Sequence, residues 1–196
     1  MTHSTLSRCR VIVFCLFAAG AFPGAVSAES VALALRLTTG QMTAQADLIA
    51  IGQCVGTRSQ WLDRDLVTLA TISLSEVMKG QERSTVTVML PGGVDVTRRI
   101  KVASTWVGAP TIRPREEVFL FLRRGEAVPG AYAVLGFSQG KLSIVQDRQG
   151  KQVSQDLTQL RMVAGDKVMR GARTTATLSE FKHEVRGYLQ QQGQQQ

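Results

Sequence analysis

Apolar and polar residues alternate through several stretches between residues 48 and 135, and a period of two predicts strands joined by short turns. From 94 to 102, Val94, Val96, Ile100 and Val102 share one parity while Asp95, Thr97, Arg99 and Lys101 share the other. That is the pattern of a half-buried strand with one wet face. Residues 85–90 alternate in the same way, and the PGG at 91–93 is a link short enough for a hairpin, so the two stretches are expected to pair. Residues 66–77 read as one long strand whose apolar parity switches, with Val67 and Leu69 on one side and Ile72 and Leu74 on the other. Such a switch predicts a bulge, and long bent strands are how small barrels turn their corners. The run VFLFL at 118–122 is apolar at both parities, which places it at the centre of a sheet or beneath a helix. Shorter strands are expected at 48–55, 132–135 and 142–146, the last turning at 147–150.

The period changes at both ends. Residues 39–45 could form a short helix despite Gly40. Thr177 and Glu180 fit a capping box, and Leu178, Phe181, Val185 and Tyr188 or Leu189 then recur at helical spacing, so an amphipathic helix should close the fold near 187–190. Beyond it, 190–196 is glutamine-rich with nothing to bury and reads as a disordered tail. The pattern defines an all-β domain over 29–189, a small antiparallel barrel with a C-terminal helix.

The segment before residue 29 has a different character. Arg8 and Arg10 precede an apolar stretch at 11–22, and the small residues at 25–28 form an exit, so 1–28 reads as a secretory signal cleaved after Ala28. The stretch is about 12 residues against the roughly 20 of a spanning helix, and no second one follows, so the product is expected in the periplasm or outside the cell with no membrane span. No cysteine directly follows the small-residue exit, so no lipid anchor is expected. The two arginines leave with the signal and no acid does, which lowers the net charge from +8 to +6. Cys9 and Cys15 leave too, so Cys54 is the single mature cysteine and no intramolecular disulfide can form.

Charge and cysteine content limit the chemistry. With one mature histidine, one cysteine and scattered acids, no metal site and no cofactor is expected. Residues 136–140, GFSQG, match the G-x-S-x-G nucleophile elbow, with an Asp and then His183 downstream. An elbow leads from strand to helix, whereas 141–145 continues as strand. A serine hydrolase using Ser138 and His183 is therefore the alternative, and a kink or turn the favoured reading. Cys54 lies in an apolar run and reads as a small buried hydrophobe. The cations Arg98, Arg99, Lys101 and Arg113 could form a stripe with Trp61 and Trp106 as aromatic platforms, which makes a polyanion a second alternative partner. Export argues against nucleic acid.

Several of these motifs together carry a resemblance. ADLIAIG at 46–52, EVMKG at 76–80, PGG at 91–93, EEVFLFL at 116–122 and GFSQGK at 136–141 resemble a group of bacterial exported proteins. The first two are also similar to the OB-type barrel of tissue inhibitors of metalloproteinases and netrin-like domains. Those inhibitors chelate the protease zinc through an amino-terminal cysteine fixed by disulfides. Here the expected start is Glu29 and no disulfide can form, so that mechanism is not implied. What the resemblance implies is an OB-like barrel and a disposition to bind protein. The expected function is an exported, non-enzymatic binding module contacting a protein partner in the cell envelope. Its expected contact residues are Trp61, Arg98, Arg99, Lys101, Trp106 and Arg113, on an outward strand row and on the long loop between Val102 and Glu117. Trp106 can serve there as an interface anchor or as a plug at the barrel end.

Overall fold

A computed structural model describes residues 31–148 and 150–194. The expected signal at 1–28, the expected start at Glu29, Gln149 in the 147–150 turn and the last two residues of the tail lie outside them. Along the chain come β1 (Ala32–Leu35), α1 (Thr39–Gln45), β2 (Leu48–Leu62), β3 (Asp65–Lys79), β4 (Thr85–Pro91), β5 (Gly93–Asp95), β6 (Val102–Ser104), β7 (Glu117–Arg124), β8 (Tyr132–Val134), β9 (Lys141–Asp147), β10 (Gly150–Asp156), β11 (Leu160–Ala164), β12 (Lys167–Arg170), β13 (Arg173–Thr177) and α2 (Leu178–Gly193). Among the described residues strand makes up 53% and helix 14%, so this part of the chain is mostly β with one large sheet and a C-terminal helix.

The large sheet has eight strands in the order β13-β10-β9-β7-β2-β3-β4-β8. The last of these also returns to the middle: β8 runs parallel to β4 at Val88 and Met89, and antiparallel to β7 from Leu122 to Arg124. The pairings β2 to β3, β3 to β4, β4 to β8, β8 to β7 and β7 to β2 thus form a circuit of five strands. One core cluster packs against these strands, with Val118, Leu120 and Leu122 of β7 among Ala50, Ile72 and Val88.

The opposite parity of β7 fills a second cluster. Phe119 and Phe121 point to the other face and pack with Ile49, Ile51, Leu142 and Val185. The α2 ring of Phe181 sits edge-on to Phe119 at 5.0 Å between centroids. A strand with helix on one side and sheet interior on the other has no wet face, which is why VFLFL is apolar throughout. α2 begins as the sequence predicts, with Thr177 Oγ1 accepting from the Glu180 N–H and the Glu180 carboxylate accepting from the Thr177 N–H. It runs through Gly193, past the expected end near 187–190 and into the expected tail, because glutamine is a good helix former. On its outer side Lys182 and Arg186 both donate to Glu76 of β3. α1 spans the expected residues, and Thr38 and Gln41 form a second capping box.

The bulge expected at the parity switch of the long strand falls on its partner instead, with further irregularities later in β3. The β2–β3 register shifts between Cys54 and Gly56, leaving Val55 of β2 as the extra residue, and again at two places nearer the end of β3. The expected hairpin of 85–90 with 94–102 does not form. β4 pairs with β3 and β8, while β5 pairs only with β6, and 97–100 is a turn. Pro91-Gly92-Gly93 is instead a crossing point. Gly92 has φ +84°, and a Cβ on Gly93 would lie 2.6 Å from Ser59 Oγ and 2.8 Å from Thr68 Oγ1. Only glycine lets the chain cross the far end of β2 and β3 this closely.

A second sheet, β1-β11-β12, was not expected from the sequence. β1 lies parallel to β11, and its other edge is fastened by a side chain: buried Gln139 accepts from the Leu37 N–H at 2.8 Å and donates to the Leu35 carbonyl at 2.7 Å. The primary amide there does the work of one rung of a neighbouring strand.

Candidate functional site

The expected contact residues divide into two groups in space, and the first is organised by a residue assigned to the wrong face. Asp95 was expected on the outward row with Thr97, Arg99 and Lys101, yet it is only 7% exposed, while Val94, Val96 and Ile100 of the apolar parity are 51%, 64% and 78% exposed. The pattern is inverted because Asp95 meets four donors. Its Oδ1 accepts from Thr97 Oγ1 at 2.6 Å and the Thr97 N–H at 2.9 Å, and its Oδ2 accepts from Trp61 Nε1 at 2.7 Å and Arg98 Nε at 3.0 Å. A buried carboxylate so satisfied holds the turn in this inverted orientation although three aliphatics are left facing water. The Arg98 guanidinium also lies 4.7 Å above the Trp61 ring.

These contacts hold the Asp95 carboxyl down to about 2, chiefly through the Thr97 hydroxyl, then Trp61 and the Thr97 N–H, with burial opposing them and the Arg98 charge assisting. A carboxylate lowered from the unfolded value of about 3.9 contributes fully above that value and loses its contribution as pH falls through its folded value. The turn should therefore stay ordered down to about pH 4 and be released between about 4 and 2. In a Trp106→Phe background Trp61 reports this by fluorescence. A response shared unchanged by Asp95→Asn, or centred near neutrality, would contradict the assignment.

Of the six expected residues, the structure thus brings Trp61 and Arg98 into direct contact and places Arg99 and Lys101, both exposed, on the same turn. Among the described residues neither Arg99 nor Lys101 has a hydrogen-bond or ion-pair partner. Trp106 and Arg113 lie apart. Trp106, 51% exposed and so not a plug, borders a cleft of about 260 Å³ with Val94 and Ala103 at the base of the β5–β6 pair. Arg113 is exposed, and its N–H donates to Glu116 on the way into β7.

The remaining candidate chemistry is not assembled into a site. Ser138 sits in a turn between β8 and β9, so the chain passes from strand to strand, and Ser138 and His183 share no hydrogen bond; His183 is exposed on α2. Cys54 is buried and free, and burial raises its thiol, which disfavours the reactive thiolate. One cluster escaped the sequence reading. Glu116 Oε1 accepts from Lys141 Nζ at 2.5 Å and Ser143 Oγ at 2.8 Å, while Lys141 also donates to Ser143 at 2.7 Å. Burial pushes the Glu116 carboxyl up, but Lys141, the Arg113 N–H and Ser143 together hold it below the ordinary range. The i, i+2 spacing of Lys141 and Ser143 on one strand face was legible; their meeting with Glu116 depends on the β7–β9 register.

No protein-family model matches the chain, and no curated protein or solved structure is similar enough to match.

Proposed function

We propose that this chain is an exported, non-enzymatic binding module on an OB-like antiparallel barrel, and that it engages an acidic partner in the cell envelope through the turn at 94–101. The five-strand circuit, closed by the parallel β4–β8 contact, supports the OB reading. In such barrels one face and the loops beside it take the ligand. The turn between β2 and β3 and the β5–β6 pair lie together here, joined by the bond from Trp61 to Asp95. One observation carries the reading: aliphatic side chains and unpaired cations are held out in water by a buried, four-fold hydrogen-bonded carboxylate. A loop of no consequence would turn its apolar parity inward.

A photo-crosslinking residue at Ile100, introduced in living cells, should give an adduct with an envelope component, and Arg99→Ser with Lys101→Ser should diminish it. The same residue at Val168, 62% exposed on the second sheet, is the reference. An adduct from Val168 and none from Ile100 would refute the assignment.

A further inference from the structure

Resting on that reading of the turn, we propose that the acidic partner is the surface of an anionic lipid bilayer, with Val96 and Ile100 entering the apolar boundary and Arg99 and Lys101 meeting lipid phosphates. Val96 and Ile100 are among the most exposed large aliphatics of the described residues, at 64% and 78%, and they flank Arg98 and Arg99 within five positions. Arg98 is committed inward to Asp95, so it braces the turn while Arg99 and Lys101 stay free.

The shape favours lipid over a protein surface. A stable protein interface needs roughly 800 Å² from each side around buried aromatic anchors. The exposed turn at 96–101 offers six residues, none of them aromatic, and the nearby Trp61 ring is already covered by Arg98, so it falls well short of the roughly 20–30 residues a side of such an interface. A bilayer requires no complementary pocket, only apolar side chains long enough to pass the headgroups and cations to meet them. No helix among the described residues is long and apolar enough to cross a membrane, and docking through this turn is peripheral.

The test sediments the purified protein with vesicles of phosphatidylcholine alone or mixed with phosphatidylglycerol. Binding is expected to the anionic vesicles only and to fall as salt rises. Arg99→Ser with Lys101→Ser should weaken it about 25-fold, at about fivefold for each cation removed. Val96→Ser with Ile100→Ser should also weaken it while the melting midpoint holds, because both side chains already face water. Absence of binding to anionic vesicles, equal binding to both kinds, or binding undiminished in both double variants would overturn the proposal. If vesicle binding fails while the Ile100 adduct in cells persists, the turn contacts a protein and the lipid proposal alone falls. If the adduct is missing as well, the reading of the turn falls with it.

Discussion

Phe119→Ala is expected to destabilise the protein by about 3–5 kcal/mol, the range for removing a large aromatic from a rigid core. Phe119 is fully buried on the central strand, in register with Ile51 of β2 and Leu142 of β9. It contacts Phe121 at 5.4 Å and the helix residue Phe181 at 5.0 Å between ring centroids. Its loss empties the seam between sheet and α2, and neither neighbouring strand can move inward without breaking its ladder. Against a typical total of about 5–15 kcal/mol the change is large, and chemical denaturation measures it directly. Trp106→Ala, on a side chain 51% exposed, is the matched control and should stay within about 0.5 kcal/mol. A Phe119→Ala loss below about 1 kcal/mol would mean that α2 does not form part of the core.

Gly171→Ala should be damaging for a different reason. A Cβ at this position would lie 1.9 Å from the Leu157 carbonyl oxygen, a backbone atom that cannot rotate away. The Gly171 N–H donates to the Leu160 carbonyl, and the Leu157 N–H to Ala172, so the crossing joins the small sheet to the large one. The expected cost exceeds the roughly 1–3 kcal/mol of ordinary overpacking. It should fall on β1, β11 and β12, whose apolar contacts reduce to Leu157, Leu160 and Met162 packed with Ala32, Ala34 and Phe137. Limited proteolysis is the readout, with new cleavage between 157 and 172 while far-ultraviolet circular dichroism changes little. Gly56→Ala, where the new methyl meets nothing within 4 Å, should leave the pattern intact. An unchanged midpoint in Gly171→Ala would show that the two sheets are not joined there.

The two effects bear on the candidate site by contrast. The turn at 94–101 is far more weakly tied to either core: β5 and β6 pair only with each other, and the fastening to β2 comes from side chains, through Asp95 to Trp61 and Ser59 to the Val94 N–H. Substitutions at Val96, Arg99, Ile100 or Lys101 can therefore change binding without changing the fold.

What the sequence determined by itself is what period and local chemistry encode. VFLFL had to be central, because a strand apolar on both faces has no tolerable place at an edge. Thr177 and Glu180 had to start a helix, because a capping box satisfies its own orphan N–H groups within four residues. Residue type and spacing single out Trp61, Arg98, Arg99 and Lys101, and the structure sets Arg98 over the Trp61 ring with Arg99 and Lys101 on the same turn. The tertiary structure decided the rest. β10 and β13 are too polar and β12 too short to show alternation, and their pairing is set by the strands beside them. Gln139 looks like one polar residue among others until its amide is seen to complete the edge of a strand about a hundred positions earlier. The inversion at Asp95 has the same origin. Hydrophobic parity is a sum over neighbouring residues, whereas the carboxylate is held by an indole 34 positions away, and no period in the chain records a partner that only folding brings within 2.7 Å.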